Sequence, residues 1–264
     1  MFAEERQRRI ADLVSEAGRV NVTDLAADFD ITTETVRRDL AALEKAGALQ
    51  RVHGGAVPCR AHSLEELTFD DREIHNLDEK TTIAQTALSL LDETMSVSLD
   101  GGTTCAAFAR EIAREARDRL SAGTSPRQLR VITNSLSVID ALAGAPGAEI
   151  FVLPGRFRPV TRAMVGPQTI TAIDGHRVDL AVLGTNGLSG DGVSTPDHDE
   201  AATKSAFVHS GRRVAVLADS AKFDALSLVR FAELDRIDVL ITDDAPEEPL
   251  AAHLETAEVE VVTP

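Results

Sequence analysis

Thr32-Thr33-Glu34-Thr35-Val36-Arg37-Arg38-Asp39-Leu40, followed by Leu43, Gly47 and Arg51-Val52-His53-Gly54-Gly55-Ala56, decides how this chain is read. In a helix, Val36, Leu40 and Leu43 fall on one face at i, i+4 and i+7. Glu34, Arg37, Arg38 and Ala41 gather on the other face, which is polar, cationic and opens at the helix N-terminus. That is the geometry in which a recognition helix presents side chains to base edges in the major groove. Thr32 suits the N-cap, and Gly47 stands where a left-handed residue would end the helix. Thr32, Thr33, Glu34, Thr35, Arg37 and Arg38 are therefore the candidate DNA contacts of this helix.

The flanking sequence agrees. Ile10, Leu13, Val14 and Ala17 form a first amphipathic helix that stops at Gly18. Asn21, with Asp24 three residues on, caps a short second helix carrying Val22, Leu25 and Ala26 inward. Phe29-Asp30-Ile31 then turns the chain into the third helix, a helix-turn-helix. Ala48 to Val52 reads as a strand, Gly54-Gly55 as a two-residue hairpin turn and Ala56-Val57 as the return strand, which completes a winged helix over residues 1–58. Arg51 and His53, near the wing tip, are placed to reach backbone phosphates.

The composition sets bounds. A chain of 264 residues needs a second domain beyond such a module. No run of 18 apolar residues and no signal peptide appears, so a cytoplasmic protein without membrane contact is expected. Cys59 and Cys105 read as free thiols, and the seven histidines show no metal spacing, so neither metal nor cofactor is expected. The net charge of −16 has the wrong sign for a DNA binder, but it is unevenly placed. Residues 1–60 carry nine Lys and Arg against ten Asp and Glu, a balance of −1, and the remainder carries 18 against 33, a balance of −15. Lysine occurs four times against 23 arginines. An acidic, lysine-poor surface suits a protein working in high salt, where self-repulsion is screened. A GC-rich genome is the rival account of the arginine excess, although it does not explain the charge.

Residues 59–77 lack periodicity, carry Glu65, Glu66, Asp70 and Asp71, and read as a linker. Over 78–264, apolar runs at 95–99, 129–132, 150–153, 180–183, 214–218 and 239–242 alternate with helical patterns. This implies an open, largely parallel α/β sheet with helices on both faces, which binds ligands at the carboxyl ends of its strands. Those ends are chemically loaded. Asp100-Gly101-Gly102-Thr103-Thr104 describes a phosphate cradle: glycines admit an anion close to the backbone, a helix N-terminus offers N–H groups, and hydroxyls add donors. Thr133-Asn134-Ser135, Gly184-Thr185-Asn186-Gly187 and Asp219-Ser220-x-Lys222 close further strands, and Lys204 follows Glu200 on a helix. Lys204 and Lys222 fall at or near ligand-facing turns and Lys80 near the start of the domain's first helix, in a chain that otherwise avoids lysine.

Gly18-x-Val20-x-Val22-x-x-Leu25-Ala26, Thr35-Val36-Arg37-Arg38-Asp39-Leu40-x-x-Leu43-Glu44-x-x-Gly47 and His53-Gly54-Gly55-Ala56 resemble the N-terminal domain of DeoR-family transcriptional repressors. The resemblance continues through Lys80-x-x-Ile83-Ala84, the Asp100 to Thr104 run, Thr133-Asn134-Ser135, Gly184-x-x-Gly187, Glu200-x-x-x-Lys204 and Asp219-x-x-Lys222. It implies a sensor with the fold shared by ribose-5-phosphate isomerase and CoA transferases, which binds phosphorylated sugars as inducers. By resemblance Gly102, Thr103, Thr104, Lys80 and Lys222 would hold phosphate, and Asp100, Asn134, Glu200, Lys204 and Asp219 would face the sugar. After Leu153 the family carries a Gly-Gly pair where this chain has Pro154-Gly155, although Arg158 and Thr161 still match. The acidic composition, with Gly187 and Ser194-Thr195-Pro196-Asp197, is most similar to haloarchaeal members that control fructose and glucose metabolism.

The expected protein is thus a repressor of sugar-catabolism genes, a homo-oligomer (dimer or tetramer) bound to operator DNA and released by a phosphorylated sugar. The alternative is a sugar-phosphate isomerase with an appended DNA-binding domain. It would need a carboxylate base, for which Glu200 and Asp219 are the candidates, and neither follows the isomerase's own motif, so no catalytic residue is assigned. A winged helix that binds only protein is disfavoured by Arg37-Arg38.

Overall fold

The computed structural model describes residues 3–17, 20–45, 49–52, 54–58 and 67–264. The chain divides into two compact units, Met1–Glu65 and Glu66–Pro264.

The first unit contains α1 (Ala3–Ala17), β1 (Val20–Asn21), α2 (Val22–Asp28), α3 (Thr33–Lys45), β2 (Leu49–Val52) and β3 (Gly55–Pro58). Ile10 and Val14 of α1, Leu25 of α2, and Val36, Leu40 and Leu43 of α3 close on Leu49 and Ala56 of the hairpin as one buried cluster. Each such aliphatic side chain gains about 1.5–3 kcal/mol on full burial, which is what holds so small a unit together. Asp39 adds a polar tie, accepting from Arg6 Nε at 2.6 Å and Gln7 Nε2 at 2.9 Å, so α1 is fastened to α3. Thr32 caps α3 as expected, its Oγ1 accepting the Thr35 N–H at 3.2 Å.

Two local expectations are corrected. Asn21 occupies the N-cap of α2 but its side chain makes no capping bond. It is held extended in β1, and the first helical N–H, of Val22, donates instead to the Gly54 carbonyl at 2.8 Å. The hairpin also turns one residue earlier than Gly54-Gly55. Val52 pairs with Gly55, so Gly54 (φ 76°) lies in the turn and Gly55 is already a strand residue. Gly55 is glycine for a different reason, since a Cβ there would stand 2.0 Å from the Val20 carbonyl oxygen. Gly18, Gly47 and His53 lie outside the described residues.

The second unit begins with α4 (Phe69–Ile74), α5 (Leu77–Ala87), β4 (Thr94–Leu99), α6 (Thr103–Ser121), β5 (Gln128–Thr133), α7 (Leu136–Leu142) and β6 (Ala148–Val152). There follow β7 (Arg156–Arg158), β8 (Ala163–Val165), α8 (Pro167–Asp174), β9 (Val178–Gly184), β10 (Gly187–Ser189), β11 (Gly192–Thr195) and α9 (His198–Ser210). It ends with β12 (Gly211–Leu217), β13 (Val229–Ala232), β14 (Val239–Ile241), α10 (Leu250–Thr256) and β15 (Glu260–Val262). A seven-stranded sheet runs β15-β14-β12-β9-β4-β5-β6, every pairing parallel.

Alternation along the strands fills both faces. Val97, Leu99, Val131 and Val182 pack with Phe108, Ile112 and Leu142 of α6 and α7 on one side. Ala181, Leu183, Val214 and Val216 pack with Ile173, Phe207 and Leu254 of α8, α9 and α10 on the other. The chain steps from β4 through β5 to β6 at one edge, then returns to β9 beside β4 and proceeds to the opposite edge. The order therefore reverses between β4 and β9, which is where open α/β sheets leave a crevice for ligands. A small antiparallel sheet, β10-β11-β13, and the β7–β8 hairpin are added to this frame.

The stretch expected as a linker, 59–77, holds the helix α4. Thr68 caps it, and Phe69 is buried while Ile74 is exposed, so the helix turns a single apolar residue inward and shows no amphipathic period in the sequence. Residues 59–66 lie outside the described residues. Among the described residues no helix is long and apolar enough to cross a membrane.

Candidate functional site

On α3, Thr32, Thr33, Glu34, Arg37 and Arg38 are exposed and Thr35 is half-buried. Burial of Val36, Leu40 and Leu43 fixes the rotation of the helix and so aims this polar face outward. Arg37 Nη1 stands 3.9 Å from Glu34 Oε2, a solvent-exposed pair of small energetic weight. Arg37 on α3 and Arg51 on β2 also line one concavity of about 280 Å³, floored by Leu40, Val52 and the hairpin glycines. Helix and wing thus each place a cation at one hollow. His53 cannot be placed in it, lying outside the described residues.

In the second unit the expected residues converge on the strand ends around the switch point. Asp100 follows β4, Gly102 (φ 122°) is the N-cap of α6, and Thr103 and Thr104 are the buried first residues of that helix. A Cβ on Gly102 would meet nothing within 4 Å, so this backbone borders open space, whereas one on Gly101 would press on Ala163 at 2.8 Å. Thr133 Oγ1 donates to the Leu99 carbonyl at 2.6 Å, and Ser135 caps α7. Asn134 Nδ2 donates to the Met164 carbonyl at 2.8 Å, which leaves Asn134 Oδ1 buried without a partner. Thr161 Oγ1 is likewise buried without a partner, and its carbonyl borders the Gly101 position.

Lys204 bridges the two halves of the sheet. Its Nζ donates to Asp100 at the end of β4 and to the Gly184 carbonyl at the end of β9 (3.0 Å), and stands 3.7 Å from Glu200. Burial works to lower its pKa, but Asp100 and Glu200 outweigh that and raise it. Lys204 is thus an internal cation that neutralises the two acids, and the expected anion contact is engaged within the protein. Arg158 extends the cluster, with Nη1 3.5 Å from Glu200 and Nε 3.5 Å from Asp197. Gly187 has a steric role, since a Cβ there would lie 2.2 Å from the Ala225 carbonyl. At the variant pair, Gly155 (φ 153°) is the glycine the fold needs, because a Cβ would strike Thr169 Oγ1 at 2.0 Å. Pro154 is accommodated, its carbonyl accepting from that same hydroxyl at 2.8 Å.

A second cationic group forms around Asp219, which follows β12. Burial lowers the Lys80 pKa to about 8, with Asp219 opposing and Lys222 and Arg72 reinforcing the shift. Lys80 Nζ donates to the Arg72 and His75 carbonyls at the end of α4. Asp219 Oδ1 accepts from Asn76 Nδ2 at 3.0 Å, and Arg72 Nη2 donates to the Val160 carbonyl at 2.7 Å. The sequence reading missed Asn76 and Arg72. Their partners lie 143 and 88 residues further along the chain, and no local pattern marks either residue.

A winged helix, followed by a parallel α/β unit with polar residues collected at its switch point, is the make-up of a ligand-responsive DNA-binding regulator. The DeoR-like helix-turn-helix domain matches residues 6–61 and the DeoR C terminal sensor domain matches residues 75–244, so the chain belongs to the DeoR family of transcriptional regulators. The HTH-type transcriptional regulator GlpR of Haloferax volcanii is 35% identical over 99% of this chain and 98% of its own length. The HTH-type transcriptional repressor GlcR of Bacillus subtilis is 29% identical over 99% of this chain and 96% of its own. Among solved structures, ribose 5-phosphate isomerase A of Methanocaldococcus jannaschii is a more distant likeness, with a TM-score of 0.39 and 17% identity over 56% of this chain and 55% of that one.

Proposed function

We propose that this protein is a repressor of sugar-catabolism genes whose operator binding is weakened by a phosphorylated sugar. The observation that carries the effector half is the pair of buried, unpartnered polar atoms, Asn134 Oδ1 and Thr161 Oγ1, beside the Gly101-Gly102 entry to α6. A buried polar atom without a partner costs free energy, and a sugar's hydroxyls would satisfy both while its phosphate took the N–H groups of α6. Lys222 and Lys80 supply cations at the neighbouring strand end. The relatives named as sugar or glycerol phosphate regulators, among them the glycerol-3-phosphate regulon repressor of Escherichia coli, accord with this ligand class.

Binding without turnover is favoured by the state of the carboxylates. Isomerisation needs a carboxylate base poised to accept a substrate proton. Glu200 faces Lys204 and Arg158, and Asp219 accepts from Asn76. Operator DNA is read by Thr32, Thr33, Glu34, Thr35, Arg37 and Arg38, with Arg51 and His53 on phosphates, and a dimer or tetramer supplies paired half-sites.

The test is effector-dependent release from promoter DNA. Fructose 1-phosphate or a related hexose phosphate should release the protein and free fructose should not. Thr103→Ala with Lys222→Ala should bind DNA and no longer respond. Equal release by fructose refutes the reading.

A further inference from the structure

The turn at 158–162 has two sides. Arg158 and Thr161 belong to the effector cluster, through the Arg158–Glu200 contact at 3.5 Å and the buried Thr161 hydroxyl. The residues between and beside them hold α4. The Val160 carbonyl accepts from Arg72 at 2.7 Å, and Arg162 reaches Asp70 at 3.6 Å with its guanidinium 5.3 Å from the centre of the Phe69 ring. The turn is tightly wound, with Thr161 N–H bonded to Arg158 O, Arg162 N–H to Pro159 O and Arg162 at φ 53°. One short turn thus carries both the cluster residues and the anchors of α4. The turn after β12 is shared in the same way. Asp219 precedes Lys222 and also accepts from Asn76, the left-handed residue (φ 52°) that joins α4 to α5.

We propose that Arg72 and Asn76 are positioning residues that couple effector occupancy to DNA release, by tying α4 to two separate turns of the effector site. The proposal rests on the effector reading above and adds its route. α4 is the first described helix after residues 59–66, through which the chain continues from the winged unit. An effector seated on Thr161, Arg158 and Lys222 displaces the Val160 carbonyl and the Asp219 carboxylate, and these are the atoms that anchor Arg72 and Asn76. Lys80, bonded to the last carbonyls of α4, keeps the helix intact as a lever while those anchors move.

The experiment uses the full chain with Arg72→Gln and Asn76→Gly, singly and together. Glycine keeps the left-handed backbone at 76 and removes the amide that binds Asp219. Calorimetry gives the affinity for fructose 1-phosphate, and operator affinity is measured with and without that probe. In the wild type, saturating probe should weaken operator binding by roughly 5–150-fold, the usual span of allosteric coupling. The double variant should bind probe and operator separately within about threefold of wild type, while the probe's effect on operator affinity falls below about threefold. Full wild-type coupling in the double variant overturns the proposal and leaves the effector reading standing. Loss of probe binding in the double variant also overturns it, since these side chains would then be ligand contacts. A wild type that the probe neither binds nor releases overturns the effector reading and the coupling together.

Discussion

Replacing Lys204 with Met should destabilise the second unit sharply. Lys204 is 2% exposed, between Asp100 at 3% and Glu200 at 9%. Methionine matches much of its volume, so packing is largely kept, and what remains is two buried carboxylates without their shared cation. Breaking a buried ion pair from one side costs about 3–5 kcal/mol. For a unit of this size each kcal/mol moves the melting temperature by roughly 2–4 °C, which gives a fall of about 6–20 °C. The pH response carries the sign. In the wild type the Lys204 pKa is raised above the ordinary 10.5, so its contribution is complete below that value and fades as pH climbs through the folded value. The variant lacks that contribution at every pH, so the deficit should shrink on going from about pH 8 to about pH 11. Adding Asp100→Asn should return part of the loss. Calorimetric melting of the full chain at both pH values decides the matter. A fall under about 2 °C at the lower pH, equivalent to under 1 kcal/mol, or a deficit that grows as pH rises, refutes the account of Lys204 as an internal counter-ion.

Arg37→Ala or Arg38→Ala should weaken operator binding by about 1–3 kcal/mol each by band shift, with unchanged circular dichroism, because both side chains are exposed. Operator affinity should fall with salt only as steeply as two or three phosphate contacts require, roughly 0.9 decade per contact for each tenfold rise in salt, because the winged unit is nearly neutral. Melting points should be higher near 3 M than near 0.2 M KCl, where about −14 of charge on the second unit is poorly screened; the reverse trend discards the high-salt reading. Light scattering at micromolar concentration should give at least a dimer, and a monomer would refute reading by paired half-sites.

The sequence reading was strongest where local chemistry and periodicity coincide. Val36, Leu40 and Leu43 with the Thr32 cap define α3 without help from the rest of the chain, and runs such as 180–183 and 214–218 stand out because parallel strands are apolar on both faces. Elements that are short or bury few apolar side chains stayed hidden. α4 turns only Phe69 inward, and β15 is three residues with two exposed positions. Strand ends gave the grouping of these residues, since Asp100, Asn134 and Asp219 follow parallel strands and Gly184 ends one. They did not give its internal pairing. The rarity of lysine drew attention to Lys204 as an anion contact, whereas its partner is Asp100, 104 residues away in sequence and in direct contact across the switch point.

The way Gly55 is enclosed has a consequence for how repression can be switched at all. Its strand is paired on both sides, with β1 and with β2, while the neighbouring Gly54 carbonyl holds the first N–H of α2. The wing is stitched to the helix that precedes the recognition helix. Such a reading head has one working shape. A signal that reaches it would change where the head is offered rather than blunt the head itself. Under the proposed induction, release is then a matter of aim, and variants that alter the helix–wing contacts should change which sequence is recognised while leaving intact the ability to let go of it.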